Sequence, residues 1–275
     1  MRKTILLAVL CLAATAHAAP AHPSFSVTST GKGRPILLIP GLGCGANVWD
    51  ETVRHLEGKA ELHVITLAGF AGQPRIDGPV LATARREIAA WVRERRMERP
   101  LIIGHSLGGF LALWLAASEP DLFAGIVVVD GAPFLFGLGN EGATAEQVGQ
   151  LAPSLRERFA ASFSANGRAT LAAMMKRPAD VDRVAALSER SDPAAVADAM
   201  VELMVTDLRP ALPSITAAAL IVVNGTTPSE MFAKQTAAIR GRRVVQIPGT
   251  LHFVMLDDPP AFLAEVDRFL AGVRP

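Results

Sequence analysis

The sequence predicts an α/β protein, with a mostly parallel β-sheet flanked by helices and a helical insertion. Apolar, β-branched runs alternate with segments of helical periodicity, which indicates parallel strands joined by helical crossovers. One apolar run turns directly into a helix at a Gly-x-Ser-x-Gly pattern, and one long central segment is helical throughout. The chain has 275 residues, half of them apolar, which is enough for one substantial core.

The first eighteen residues have the pattern of a secretory signal peptide. Met1-Arg2-Lys3 is basic, residues 5–14 are apolar but too few to span a bilayer, and Ala16-His17-Ala18 is a cleavage site with small residues at both ends. We therefore predict a secreted or periplasmic protein with no stable membrane anchor after signal removal; a retained anchor is the alternative. Cys44 is then the only cysteine, which excludes an internal disulfide.

The charge pattern argues against nucleic acid as a partner. Without Arg2 and Lys3, 25 of the 27 basic residues remain, against 26 acidic residues. The longest charged run, residues 93–99, is of mixed sign. A nucleic-acid-binding face needs an excess of positive charge, which this sequence lacks.

The predicted nucleophile lies in Gly104-His105-Ser106-Leu107-Gly108, between an apolar strand and the helix predicted over residues 110–118. Glycines two positions from Ser106 on either side let strand and helix approach closely. The strained turn exposes the serine oxygen and leaves the Leu107 amide at a helix N-terminus. This stretch resembles the nucleophile elbow of the α/β-hydrolase fold superfamily, in particular its serine esterases and lipases.

The remaining elements follow in order along the chain. After a polar lead over residues 19–33, strands are predicted over residues 35–39, 62–67, 101–104, 125–130, 219–223 and 243–247, and helices over residues 47–56, 82–96, 110–118 and 260–270. Asp257-Asp258 is a predicted N-cap for the last helix.

The resemblance divides the chain into a hydrolase core and a helical cap. It implies a core of residues 19–133 and 214–275, and a cap, residues 134–213, over the active site. Seven cap side chains are predicted either to line an apolar acyl pocket or to pack the cap itself: Phe134, Phe136, Phe159, Met174, Met175, Met200 and Met204.

The first strand ends in Pro40-Gly41-Leu42-Gly43, a second functional loop. The resemblance implies that this turn supplies one amide of the oxyanion hole, which makes Leu42 the candidate donor beside Leu107. Residues 41–46 also match the dinucleotide fingerprint G-x-G-x-x-A. The next strand, however, ends in Leu67-Ala68-Gly69 without the acid that would bind a ribose, so no cofactor is predicted; no metal is predicted either.

A serine nucleophile needs a histidine as general base, and His252 is the candidate. It follows the last predicted strand, on the sheet edge where the elbow opens. The other five histidines lie in the signal, in the flexible lead, on a helix flank, at the far end of a strand or beside the nucleophile with the ring directed away: His17, His22, His55, His63 and His105.

The acid has two candidates. In the resembling family it commonly follows the strand that is here residues 219–223, but Asn224 stands there and no carboxylate occurs before Glu230. Other members place it one strand earlier, at Asp130 in this sequence. A carboxylate at the end of a buried strand needs a partner, which a histidine proton supplies, so Asp130 is favoured and Glu230 is the alternative.

The resemblance implies a serine hydrolase that cleaves carboxylic esters through an acyl-enzyme intermediate. The expected substrate is a small-molecule ester or lactone with an apolar acyl part. Hydrolysis of a lactone or amide by the same triad remains open, because cap shape selects the substrate. A non-catalytic binding module is the alternative from another class, suggested by the lack of an acid at Asn224.

Overall fold

The computed structural model describes residues 22–274, so the predicted signal peptide, residues 1–18, lies outside the described residues. A single sheet of seven strands has the order β1-β3-β2-β4-β5-β6-β7. The strands are β1 (Phe25–Gly31), β2 (Arg34–Ile39), β3 (Ala60–Leu67), β4 (Leu101–His105), β5 (Gly125–Val129), β6 (Ala218–Val223) and β7 (Arg243–Gln246).

Residues 22–274 form ten α-helices, which cover the sheet or form the cap. They are α1 (Asp50–Leu56), α2 (Val80–Glu94), α3 (Leu107–Ser118), α4 (Ala145–Gly149), α5 (Ala152–Met174), α6 (Pro178–Ser188), α7 (Pro193–Val205), α8 (Ser229–Gln235), α9 (Val254–Asp257) and α10 (Pro259–Gly272). Three 3-10 helices cover Ala46–Trp49, Leu135–Leu138 and Arg209–Ser214.

Strands β2 to β7 are mutually parallel, and β1 is antiparallel to β3. The prediction of a mostly parallel α/β fold is therefore confirmed. Because all parallel strands point the same way, the segments that follow β2, β4, β5, β6 and β7 emerge at one edge of the sheet. This edge carries the candidate site.

The core consists of two apolar layers, one on each face of the sheet. In β2, Leu37 and Ile39 face the layer formed with α2 and α3, whereas Ile36 and Leu38 face the layer formed with α1 and α10. Both faces of the sheet are covered, which explains the unbroken apolar runs of the central strands.

Strand β1 is the clearest departure from the sequence prediction, which made residues 19–33 an irregular lead. Phe25 pairs with Leu67 and Gly31 with Glu61 along β3. Four of its seven residues are Ser or Thr, because β1 is an edge strand with one face toward solvent. Strand β1 therefore contains no continuous apolar run by which the sequence would indicate it. His22, predicted to be flexible, hydrogen-bonds Glu94 on α2 at 2.8 Å.

The residues between β5 and β6 form helices α4 to α7 and the turns that connect them. In this cap, α5 packs on α7 and α6, and α7 in turn packs on α2 of the core. None of the residues of α5 is fully buried. No helix within residues 22–274 combines the length and apolar character needed to cross a bilayer.

Candidate active site

Ser106 lies at a sharp corner between β4 and α3. Its backbone φ of 53° and ψ of −116° are strained for a residue with a side chain. The glycines on either side are required by close packing: a Cβ at Gly104 would lie 2.1 Å from the Gly108 carbonyl oxygen, and one at Gly108 would lie 2.1 Å from that of Ile39. The corner therefore has the geometry expected of a nucleophile elbow.

Asp130 and His252 meet at the same edge. Asp130 directly follows β5, with a positive φ of 49°, and its side chain is almost fully buried. Its Oδ2 lies 2.6 Å from His252 Nδ1, on the loop between β7 and α9. This contact fixes the imidazole orientation and leaves Nε2 as the nitrogen available to a nucleophile.

Asn224 is a site residue that the sequence analysis did not recognise. It follows β6 and is buried, and its Nδ2 lies 2.8 and 2.9 Å from the two carboxylate oxygens of Asp130. Its Oδ1 in turn accepts the amide hydrogens of Thr226 and Thr227, so its own orientation is fixed. The available signal in the sequence was a polar residue directly after an apolar strand, at the position where the acid commonly stands. In the structure this residue does not replace the acid but hydrogen-bonds to it, at Asp130.

The surroundings of Asp130 favour its charged form. Burial alone raises the pKa of this carboxyl, but the hydrogen bond and charge of His252 and the amide groups of Asn224 outweigh burial and hold the pKa below its usual value. Asp130 is therefore an anion throughout the neutral range, as the partner of a histidine base must be.

His105 is buried beside the site, and its ring Nε2 is 3.0 Å from the carbonyl oxygen of His252. Its ring also packs on Phe253, at a centroid distance of 4.5 Å. Burial, reinforced by the charge of His252, lowers the pKa of His105 to about 3, so it stays neutral at working pH. The His105 ring therefore contacts the loop that carries His252. The sequence predicted only that this ring points away from the nucleophile, and did not predict the contact.

The two candidate oxyanion donors flank Ser106. Leu42 follows β2 and lines the same cavity as Ser106, and Leu107 is the first residue of α3. Among the hydrogen bonds of the described residues, none uses the amide of Leu42 or Leu107 as its donor. Neither amide is therefore occupied by another hydrogen bond in the described part of the chain, as an oxyanion donor requires.

A cavity of about 370 Å³ joins these groups, with Ser106, Asp130 and His252 in its wall. Its volume is at the lower end of the range for small-molecule sites. The cap side covers it mainly with apolar side chains: Phe159, Phe163, Leu171, Met174, Val196 and Met200. Of the seven predicted cap residues, Phe159, Met174 and Met200 line this cavity, whereas Phe134, Met175 and Met204 are buried in apolar clusters and Phe136 packs against one of them.

Two other groups, Glu230 and Cys44, differ from the triad residues in position or ionisation. Glu230 is exposed in the first turn of α8 and is not part of the cavity wall. Cys44 lines the cavity, but burial raises the pKa of its thiol to about 12, so it is not a thiolate at neutral pH. Neither residue competes with Asp130 or Ser106 on this geometry.

The arrangement combines a hydroxyl on a strained corner, an imidazole oriented by a buried carboxylate, and two candidate oxyanion donors whose amides donate no other hydrogen bond among the described residues. In the described residues no hydrogen bond joins Ser106 Oγ to His252, although both face the cavity; such bonds are often longer in a ligand-free enzyme than in its substrate complex. The described residues include no cluster of three or more metal-binding side chains.

The sequence model of the Alpha/beta hydrolase family matches residues 36–266 of the chain. The chain belongs to the alpha/beta hydrolase family. The superfamily inferred from the elbow motif is thereby confirmed.

Among curated members of the family, the chain is similar to two pimeloyl-[acyl-carrier protein] methyl ester esterases. The one from Aliivibrio salmonicida is 26% identical over 249 residues, covering 87% of this chain and 93% of the relative. The one from Vibrio parahaemolyticus is 28% identical over 256 residues, covering 90% and 95%. Among solved structures, a thermophilic esterase from Thermogutta terrifontis superposes with a TM-score of 0.78 at 18% identity, covering 91% of this chain and 94% of the esterase.

Proposed function

We propose that this protein is a serine hydrolase that cleaves carboxylic esters with Ser106, His252 and Asp130. The observation that carries the proposal is the 2.6 Å contact between Asp130 and His252 in the wall of the cavity that also contains Ser106. The prediction of a serine-dependent ester hydrolase is confirmed at the level of reaction class, since the curated relatives are methyl ester esterases.

In the first half of the reaction, His252 Nε2 takes the proton of Ser106 as Oγ attacks the ester carbonyl carbon. The carbonyl π electrons move to the oxygen, which the amides of Leu42 and Leu107 stabilise. Collapse of this tetrahedral intermediate breaks the bond to the alcohol oxygen. The alcohol leaves with the proton from His252, and the acyl group stays on Ser106.

In the second half, His252 removes a proton from water, which attacks the acyl carbon. The bond to Ser106 Oγ breaks, Oγ recovers the proton, and the carboxylic acid leaves. Asp130 remains ionised throughout and stabilises the imidazolium that forms in both halves. Asn224 holds Asp130 in that role through its two short contacts.

The acyl part of the substrate is uncharged and apolar. Apart from the triad, the cap and core side chains that line the cavity carry no charge, and an anionic or cationic acyl group would lose its hydration without a partner. A small-molecule ester with an aliphatic acyl chain fits this cavity.

The alternative of a non-catalytic binding module was suggested only by the missing acid at Asn224. That argument no longer applies, because Asp130 contacts His252 instead.

A fluorophosphonate probe tests the proposal directly, because it reacts with an activated serine. We expect stoichiometric labelling of the purified protein at Ser106, located by peptide mass spectrometry, and no labelling of Ser106→Ala. A panel of p-nitrophenyl esters from acetate to palmitate, with one lactone, then measures kcat/KM for each substrate. A folded protein that neither reacts with the probe nor turns over any ester would contradict the proposal.

We further propose that the protein is exported and acts in the periplasm or outside the cell. The basic start, the short apolar run and the Ala16-His17-Ala18 site support this. Intact mass measurement of the protein from its native cells should give a chain that begins at Ala19. A chain that retains residues 1–18 would contradict export by cleavage.

A further inference from the structure

Asp257 joins two parts of the molecule that lie far apart in sequence. Its Oδ2 accepts the amide hydrogen of Leu251 at 2.6 Å, and its Oδ1 accepts that of Lys176 at 2.8 Å. Leu251 immediately precedes the candidate base His252, and Lys176 lies two residues beyond the end of α5. One carboxylate therefore connects the loop that carries His252 to the turn that follows α5, the helix that lines the cavity on the cap side.

A second contact links the same two segments. The amide of Phe253 donates to the carbonyl of Met174, the last residue of α5, at 3.4 Å. The Met174 side chain lines the cavity on the cap side. Of the two neighbours of His252, Phe253 is thus hydrogen-bonded to the last residue of α5, and Leu251 to the Asp257 carboxylate.

Asp257 was predicted to cap α10 together with Asp258, but only Asp258 does so, by accepting the amide hydrogen of Ala261 at 3.1 Å. The two carboxylates are adjacent and both half-buried, yet they have different partners. Asp257 has no role in capping α10, and both of its oxygens are used to hold loops.

We propose that Asp257 is a positioning residue that fixes the His252 loop against the end of α5 and so places the imidazole for Ser106. The proposal rests on the proposed function of Ser106 and His252. Two charge-assisted hydrogen bonds to backbone amides restrain the loop where no regular secondary structure holds it. A carboxylate is required because both partners are donors: one end of a carboxamide would present a donor to a donor.

The test compares Asp257→Asn with Asp258→Asn, a matched control one residue away. We expect Asp257→Asn to lower kcat and the second-order rate constant of fluorophosphonate labelling by about 10- to 100-fold, the effect of misplacing a catalytic group by up to about 1 Å. KM is expected to stay within about threefold. Asp258→Asn should keep the wild-type rates and nearly the wild-type Tm, because an asparagine oxygen still accepts the amide hydrogen of Ala261 and asparagine caps a helix as well as aspartate does.

The endpoint of labelling separates positioning from misfolding. A slow reaction that still reaches full stoichiometry supports the proposal, because the active fraction is intact and only the rate has changed. Labelling of Asp257→Asn at the rate of Asp258→Asn overturns it.

If Asp257→Asn does not fold, Asp257→Glu takes its place, since it keeps the charge but moves the carboxylate by one methylene. Full labelling at a reduced rate then supports the proposal, and the wild-type rate overturns it. Failure of the wild-type protein itself to react would count against the proposed function instead.

Discussion

Asp130 is held from two directions, by the His252 ring and by the Asn224 side chain. This arrangement predicts which carboxylate the reaction needs. Asp130→Asn should lower kcat for a p-nitrophenyl ester by about three to four orders of magnitude, because the amide cannot accept from His252 Nδ1 in the same way or stabilise the imidazolium. The variant should still fold cooperatively, as thermal unfolding by circular dichroism measures, with a Tm lowered only moderately because the new amide places a donor against the donors of Asn224.

Glu230→Gln is the control for that experiment. Because Glu230 is exposed on α8 and outside the cavity wall, its variant should retain the wild-type kcat. If Glu230→Gln abolishes turnover and Asp130→Asn does not, Glu230 is the acid and the loop after β6 must rearrange in the active state.

Residues whose roles depend on short-range geometry could be proposed from the sequence. Ser106 was identified because the sterics of its glycine-flanked turn are local, and His252 because its strand-end position differs from that of the other histidines. Asn224 and Asp257 were not identified. Their partners, Asp130 and Lys176, lie 94 and 81 positions away, and only the folded chain brings them together.

At the scale of elements, the central strands followed from their apolar runs because both of their faces are buried. The edge strand β1 did not, since four of its seven residues are serine or threonine. The cap helices were recognised as helical, but their packing could not be derived: α5 has no fully buried residue, so its sequence has little of the amphipathic pattern that identifies a packed face.

Helix α5 nevertheless shows a regular feature on its cavity side. Phe159, Phe163, Gly167 and Leu171 are spaced four residues apart and all line the cavity. Apart from the neighbouring backbone of its own helix, no heavy atom of the described residues lies within 4 Å of a Cβ added at Gly167. The missing side chain leaves a gap in an otherwise apolar row, and we expect an acyl chain to extend into it.

Gly167→Leu tests this expectation by filling the gap. It should lower kcat/KM for the longest ester that the wild type accepts by about 10- to 200-fold. One extra methylene in an apolar pocket typically has an effect of this size, and the leucine side chain removes at least that much room. The value for acetate should stay within about threefold. Stability should not fall, because glycine is less favourable than leucine inside a helix by nearly 1 kcal/mol.

Ala169→Leu provides the control for this experiment, because Ala169 is exposed on α5 and does not line the cavity. Its chain-length profile should match the wild type. Equal losses on short and long esters in Gly167→Leu would mean that the acyl chain lies elsewhere.

At the scale of the whole molecule, the cap is attached to the core at several separate points. Glu202 of α7 accepts the amide hydrogens of Leu81 and Ala82 at 2.9 and 2.6 Å, so that the cap supplies the N-terminal capping group of α2. Ser191 donates to the carbonyl of Gly43, beside the candidate oxyanion donor Leu42, at 3.0 Å. The cap therefore contributes to the stability of the core and of the loop that carries Leu42.

A buried histidine in the same region makes the stability of the whole protein depend on pH. His105 contacts His252 and Asp130 lies nearby; the first disfavours and the second favours a charge on His105, but burial dominates and lowers its pKa to about 3. Its Nδ1 has no hydrogen-bond partner among the described residues, so a proton there would be buried without an acceptor.

The sign of the effect follows from proton binding. In the unfolded chain a histidine has a pKa of about 6.5, so below that pH the unfolded state binds a proton that folded His105 does not. The contribution of neutral His105 to the free energy of unfolding is therefore fully present above pH 6.5. It decreases toward pH 3, by up to about 1.4 kcal/mol per pH unit.

His105→Gln keeps a side-chain donor for the His252 carbonyl but does not titrate. Urea unfolding at pH 7, 5.5 and 4.5 should show a smaller loss of stability in this variant than in the wild type, by up to about 1.4 kcal/mol per pH unit below 6.5. Parallel curves for the two proteins would show that folded His105 takes up a proton with the pKa of the unfolded chain, and that its contact with the His252 loop does not depend on a neutral ring.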